Sequence, residues 1–418
     1  MDRIITTNEI IQENDFKSMT LEEIILAGAR EKVMIELLKE RQQYLKEHEH
    51  LFTDKNVQAI VANGFGKDLT VTTPLGAIEI KKPRTRNRGN ILREDGRLEN
   101  FESLIIPPYM KRSLTLEETI PLLYLHGLSS SDFIPALKVL LGDKASGLSA
   151  SNISKMMYKW KDELADWKDR DLSEDEYCYM WVDGIYFNTR NSQEKLCILV
   201  ILGAKRDGRK ELVGVASGYR ESKESWLTLL RNLKSKGLKC PKLFIGDGAL
   251  GFWAAVREVF HGFKEQRCWV HKEANVLDKL PKSVQSQAKS MMHEIYLAPT
   301  KEKANTAFDR FIKTFEDKYP KAVECLVKDR MKLMTFYDFP AAHWIHIRTT
   351  NPIESTFSTV RLRTRKTRGN CSRDMTEAMV FQLIKKAEKR WRKLKGYKHI
   401  EKVFLGVLYI DGVEKKVA

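Results

Sequence analysis

Three carboxylates stand in contexts that suit phosphoryl-transfer chemistry: Asp183 in WVDGIYF, Asp247 in LFIGDGAL and Glu354 in TTNPIEST. Cutting a phosphodiester with two divalent cations requires acidic oxygen ligands on rigid elements, with cationic side chains nearby to hold the substrate backbone. Asp183 follows the apolar run Met180, Trp181, Val182, where an aspartate is costly to bury unless it is paired or ligates a cation. Taken singly, each Asp-Gly step also reads as a hairpin turn. Taken together, two aspartates that each end an apolar run can sit on neighbouring strands and share a metal. Glu354 has a local alternative, since Asn351 fits an N-cap, Pro352 the first helical position and Glu354 the third, close to a capping box. The two roles are compatible, because a glutamate in a first helical turn can point at strand ends, with Ser358, Arg361 and Arg365 on roughly its face.

If the three acids converge, Asp183, Asp247 and Glu354 hold two Mg²⁺ or Mn²⁺ ions, about 3.5 to 4 Å apart. An activated hydroxyl nucleophile attacks in line, so no covalent protein intermediate is needed and Tyr186, Tyr219 and Ser358 are not assigned as nucleophiles. The chain has no GxxxxGK[ST] loop, and no nucleotide cofactor is expected.

The elements that must position these acids follow from periodicity. Thr20 to about His50 repeats apolar residues at helical spacing and reads as one amphipathic helix for packing or dimerisation. LTVTTPLGAIEIKKPRTRNRG alternates around Pro74 and Gly76 as a hairpin, and its far strand runs into Lys81, Lys82, Arg84, Arg86 and Arg88, candidates to track a phosphate backbone. From Ser113 to Trp167 the pattern is helical in three pieces, with Ser131, Asp132 and Ser149 as start signals and Gly127, Gly142 and Gly147 in the turns. A last helix carrying Lys155 and Lys159 resembles a helix-turn-helix reader, with a plain helical bundle as the alternative. YCYMWVDGIYF, KLCILVILGA and ELVGVASGY are three β-type runs, followed by a helix, the strand KLFIGDG and a helix from about Ala249. That order predicts an α/β chain with a ribonuclease-H-like mixed sheet, and the helical stretch 271–340 predicts an insertion within it. The expected divisions are 1–60 (helical, dimerisation), 61–112 (basic hairpin), 113–172 (helix-turn-helix-like), 173–270 with 341–400 (catalytic), 271–340 (insertion) and 401–418 (tail).

Composition narrows the partner. A formal charge of +16 over 418 residues favours a polyanion. Between Ile345 and Ile400 fifteen Lys and Arg face four Asp and Glu, which adds Arg348, Arg361, Arg363, Arg365, Lys366 and Arg368 to the candidate DNA contacts. Six cysteines without a CxxC pair fit a reducing compartment, and neither a leader pattern nor a run of about 18 apolar residues is present, so the expectation is a cytoplasmic, nucleoid-associated protein with no membrane role. Cys268 and His271 stand at a CxxH spacing; zinc would need further ligands, and packing near the site is the simpler reading. His343 and His346 are read as part of a polar network or as DNA contacts. Trp253 and Trp344 are candidates for base stacking, with core packing as the alternative.

These blocks, WVDGIYF, IGDGALGFW, the Cys-Trp-Val-His segment and HWIHIRTTNPIESTFSTVRLRTRKT in this order, resemble the Mutator-type transposases of bacterial insertion sequences, within the DDE transposase group. The resemblance covers nearly the whole chain. It implies Asp183, Asp247 and Glu354 as the catalytic triad, Cys268 and His271 as a family motif of uncertain role, and an N-terminal region that binds terminal inverted repeats. It also implies cleavage at transposon ends and 3′-hydroxyl transfer into target double-stranded DNA by a homo-oligomer, at least a dimer on DNA. The alternatives are a silent, domesticated copy acting as a DNA-binding regulator, and a ribonuclease-H-like nuclease.

Overall fold

Runs of β-branched and aromatic residues with both faces apolar belong in a sheet covered on both sides, and three such runs form strands of one sheet here. The structure, a computed structural model, describes residues 19–125, 135–137, 139, 141, 150–187, 195–218, 220–248, 250–367 and 372–415. It divides into two compact units at Met157/Tyr158.

In the first unit, α1 (Leu21–Glu47) opens with a capping box: the Glu23 N–H donates to Thr20 Oγ1 at 3.3 Å, and the Thr20 N–H donates to the Glu23 carboxylate at 2.7 Å. The hairpin of β1 (Ile60–Thr73) and β2 (Gly76–Asn87) turns at Pro74 and Leu75. Its first strand starts well before the alternating segment, because register shifts between Ala62 and Asp68 break the period that sequence reading relies on. Leu37 of α1 closes a small core with Val71, Ile78, Ile80 and Ile106. Next comes α2 (Leu114–Leu125), and α3 (Ala150–Lys168) runs across the Met157/Tyr158 division. Ser131, Asp132, Gly127, Gly142, Gly147 and Ser149, on which the helix-turn-helix expectation depends, lie outside the described residues.

The second unit holds a five-stranded mixed sheet. β3 (Tyr177–Phe187), β4 (Leu196–Lys205) and β5 (Lys210–Gly218) are antiparallel neighbours. β6 (Leu243–Gly246) and β7 (Lys264–Arg267) add in parallel on the other side of β3, giving the order β5-β4-β3-β6-β7. Met180, Val182, Leu199 and Ile201 face a core shared with Trp226 and Leu230 of α4 (Lys223–Ser235) and Phe252 of α5 (Leu250–Val259). The alternating set Tyr179, Trp181, Ile198 and Val200 is equally buried on the opposite face.

β7 is a sheet strand that sequence reading missed, as it did the short antiparallel pair Tyr409–Ile410 and Val413–Glu414. Its residues are Lys-Glu-Gln-Arg, and what holds them is polar: buried Gln266 accepts the Phe336 N–H at 2.8 Å and donates to the Leu333 carbonyl at 3.2 Å. After β7 come α6 (Trp269–Leu277), α7 (Lys282–Tyr296), α8 (Lys301–Phe315), α9 (Pro320–Val327), α10 (Arg330–Leu333) and α11 (Trp344–Ile347). α12 (Asn351–Thr367) and α13 (Arg373–Glu388) then return to the sheet, with Ile353, Phe357 and Val360 fully buried. No described helix is long and apolar enough to cross a membrane.

Candidate active site

The parallel pairing of β3 with β6 ends at Val182 opposite Gly246. Asp183 and Asp247 are therefore the next residues on two neighbouring strands, whose axes in any sheet lie about 4.8 Å apart. Asp183 does not end its own strand, as the sequence suggested: it pairs with Val200, Gly184 pairs with Leu199, and β3 continues to Phe187. The Asp-Gly turn at this position is thereby ruled out. Asp183 Oδ1 accepts the Gly184 N–H at 2.8 Å, and the Trp253 indole donates to the Asp247 carbonyl at 2.8 Å.

Glu354 reaches the same strand ends through a buried hydroxyl. α12 begins at Asn351, one residue earlier than the capping-box reading placed it, and the Thr350 carbonyl accepts the Ile353 and Glu354 N–H groups at 2.9 and 3.0 Å. Thr350 is fully buried, and its hydroxyl donates to Glu354 Oε1 at 2.8 Å. Its N–H donates to Cys268 Sγ at 3.3 Å. The Cys268 N–H in turn donates to the Gly246 carbonyl at 2.8 Å, and the Trp269 N–H to the Arg348 carbonyl at 3.0 Å. The second and third acids are thus tied through Cys268 and Thr350. His271, one turn on from Cys268, lies with Nδ1 3.4 Å from the Thr350 hydroxyl and Nε2 3.9 Å from Glu354 Oε1. Cys268, His271 and Glu354 bring ligand atoms within 4.8 Å of one another.

The electrostatics are those of crowded acids. Burial, reinforced by the charges of Asp247 and Glu354, pushes the Asp183 carboxyl up to about 7. His271 opposes this. Its contact with Cys268 and the nearby aspartates hold the imidazole up at about 9 against the effect of burial.

A fourth carboxylate, Glu221, was not singled out from the sequence. It sits between β5 and α4, directly before the Ser222 N-cap, and burial with the charges of Asp247 and Asp183 raises it to about 7. Its Oε1 would lie 2.5 Å from a Cβ placed on Gly184, so the glycine beside Asp183 is what admits it. The available signal was the Ser-x-x-Ser start of α4 after a strand triplet, preceded by an acid.

The expected DNA contacts divide. Lys81, Arg84, Arg86 and Arg88 on the hairpin, Lys155 and Lys159 on α3, and Arg361 on α12 are exposed. Lys82 instead donates to the Ile106 and Pro107 carbonyls, and Arg348 to those of Tyr296 and Trp344. α12 also carries Arg363, Arg365 and Lys366, whose side chains, like Arg368 as a whole, lie outside the described residues. Trp253 is buried, and the Trp344 ring packs edge-on against Phe336 and Tyr337. His343 bonds the Tyr179 hydroxyl and the Gly396 carbonyl, and His346 accepts the Lys395 N–H, so both sit in polar networks.

Residues 3–394 match the family model described as "Transposase, Mutator family". The chain is 54% identical over 297 residues to the transposase for insertion sequence element IS6120 of Mycolicibacterium smegmatis, covering 71% of this chain and 92% of that protein. It is 46% identical over 279 residues to the transposase for IST2 of Acidithiobacillus ferrooxidans, covering 66% and 94%, and 30% identical over 295 residues to that for IS905 of Lactococcus lactis, covering 70% and 71%.

Two outcomes follow from this geometry. Cys268→Ala leaves the buried Thr350 N–H without its acceptor and should lower stability by about 1 to 3 kcal/mol in denaturant titration, with Cys268→Ser losing less; equal losses in the two variants would remove the hydrogen bond from the account. In chelator, thermal stability should fall from pH 7 to pH 9, above the range in which buried His343 and His346, both lowered to about 4, gain stability as pH rises. Asp183 and Glu221 have folded values raised above their unfolded ones, so their contribution is full below about 4 and is lost as pH rises through about 7. The His271 contribution is full below 6.5 and is lost as pH rises through about 9. A midpoint that climbs across this range contradicts the assignment.

Proposed function

Because this chain belongs to the Mutator family of transposases, we propose that it cuts DNA at the ends of an insertion sequence and transfers the freed 3′-hydroxyls into target DNA. The reaction centre is the group Asp183, Asp247 and Glu354, in a bacterial cytoplasmic protein that works as a homo-oligomer on double-stranded DNA. The observation that supports this reading is that three carboxylates, remote in sequence, lie near one end of a mixed sheet, where Asp247 and Glu354 act on the charge of Asp183, although the oxygens of the three do not all lie within 4.8 Å of one another. The strand order, three antiparallel strands and then two parallel ones beyond the first, supports a ribonuclease-H-like core with the helices between β7 and α12 as its insertion.

The donor set suits hard divalent cations. Carboxylate oxygens are the preferred ligands of Mg²⁺ and Mn²⁺, and the burial that raises Asp183 and Glu221 leaves a site that a cation would relieve. Asp183, Asp247 and Glu354 would hold two such ions, with Glu221 completing the acidic wall beside Asp183. Bound there, the ions would activate the attacking oxygen and stabilise the leaving one. The chain itself supplies orientation: Thr350 fixes one Glu354 oxygen, Gly184 holds one of Asp183, and His271 balances charge from the side. The Cys268 sulfur accepts from Thr350 within a three-donor group, whereas a structural zinc site uses four ligands. Cys268 and His271 are therefore read as positioning residues. Lys81, Arg84, Arg86, Arg88, Lys155, Lys159 and the basic turns of α12 would hold the DNA backbone.

Replacing Asp183, Asp247 or Glu354 by alanine should abolish Mg²⁺-dependent cleavage of end-containing DNA while end binding, read by mobility shift, survives. Cleavage retained in one variant removes that residue from the triad, and cleavage absent from the wild-type chain favours a DNA-binding regulator. Gly184→Ala should displace Glu221 and weaken Mn²⁺ binding by about 10- to 100-fold, the range for groups that support metal ligands. Unchanged Mn²⁺ affinity by titration would place Glu221 outside the site.

A further inference from the structure

Behind Asp247 lies a cavity of about 620 Å³ with a cationic wall. It is bounded by the Asp247–Gly248 turn, by α5 and α6, and by the α9–α10 corner. Arg267, at the end of β7, is 4% exposed, and Lys272 on α6 is 1% exposed. Both turn to the same carboxylate: Arg267 Nε lies 3.5 Å from Asp329 Oδ2, and Lys272 Nζ bonds that oxygen and the Cys325 carbonyl. Two buried cations thus share one acid. Arg267 Nε and Nη1 are sealed from solvent and make no hydrogen bond. Buried guanidinium donors are normally satisfied, yet Asp329 meets this one only through the 3.5 Å contact at Nε, so its charge is left under-compensated beside the cavity.

The surroundings add positive charge. Arg257 and Lys332 line the wall with their heads held by Glu265, at 2.5 and 2.7 Å for Arg257 and 2.9 Å for Lys332. Lys328 is exposed at the rim. The second acid on the wall is Asp247, whose charge is shared with the acidic cluster. Gly248 makes the approach possible, since a Cβ there would collide with Arg267 Nη2. The volume is within the usual range for small-ligand sites and admits a nucleotide.

We propose that this cavity is an anion site that takes a backbone phosphate of the DNA strand held at the acidic cluster, with Arg267 as its principal donor and Lys328 and Lys332 at its mouth. With Nε and Nη1 sealed, Arg267 offers the phosphate Nη2, the nitrogen beside Gly248, as a charge-assisted donor. A phosphate held here lies on the far side of Asp247 from Asp183, so it would fix the strand next to the bond being cut. Only the source of the phosphate rests on the transposase reading; the anion site stands on Arg267, Lys272 and Asp329 alone.

The test uses the full chain in chelator, so that divalent cations play no part. Inorganic phosphate should raise the thermal midpoint above that in chloride at equal ionic strength. Arg267→Met should melt no lower than wild type in chloride, because a buried cation has gone, and should lose the phosphate increment. Lys328→Gln, altered at the exposed rim, should keep the fold and bind phosphate several-fold more weakly. A single-stranded thymidine 16-mer provides the second arm: every strand phosphate that a variant no longer neutralises should lower the slope of log K against log salt by about 0.7. The increment persisting in Arg267→Met overturns the site; if that variant does not fold, an unchanged phosphate affinity in Lys328→Gln does so. Phosphate binding without any variant effect on the 16-mer overturns the strand as its source. Mg²⁺-dependent cleavage is assayed separately, so normal cleavage with an unaltered increment rejects the pocket and leaves the transposase reading standing.

Discussion

Like charges do not gather of their own accord, and the acidic site depends on one buried linkage that obliges them to. Thr350 gives its N–H to Cys268 and its hydroxyl to Glu354, while the Cys268 N–H is bonded to the carbonyl of Gly246, the residue before Asp247. Glu354 is thereby referenced to the strand end that carries Asp247, although many helices intervene along the chain. Buried and fully bonded, such a network resists distortion, because any member left without a partner bears its desolvation penalty.

The cost of the arrangement falls on the acids. Asp183 and Glu221 are each held up near 7 by burial and by the charges around them, and His271 offsets only part of this. A folded protein that keeps carboxylates in so unfavourable a setting has traded local stability for a prepared site, the pattern expected where sequence logic and folding logic diverge. The cavity behind Asp247 repeats it with opposite sign, since Arg267 and Lys272 crowd a single carboxylate. The two sides of Asp247 thus differ in which charge predominates.

Much of this was legible in the residues. β3, β4 and β5 announce themselves because both faces are largely buried and their apolar runs are long, and Glu354 stands out beside Pro352 at a helix start. What was hidden obeys other rules. The Asp-Gly step at Asp183 signals a turn by local propensity, yet the pairing of Gly184 with Leu199 overrides it. β7 is polar because Gln266 is held by hydrogen bonds to a loop rather than by apolar packing. Glu221 gave no motif, since its place is set by the empty side of Gly184, a distance that sequence spacing does not encode. Charge counting likewise treats all cations alike, whereas Lys82 and Arg348 are engaged by backbone carbonyls and the hairpin arginines are displayed to solvent.

The Cys-x-x-His spacing follows the turn of a helix. Cys268 is the N-cap residue of α6, and His271, three positions on, returns to the same face one turn later. Both side chains therefore meet the Thr350 hydroxyl from one direction, the sulfur at 3.3 Å and the imidazole at 3.4 Å. A residue such as serine in place of Cys268 would present a shorter side chain to the Thr350 N–H, and a non-basic residue in place of His271 would leave the acids without their nearest positive charge. The pair is constrained in spacing because one helix turn must serve two neighbours of Glu354, its anchor and its counter-charge.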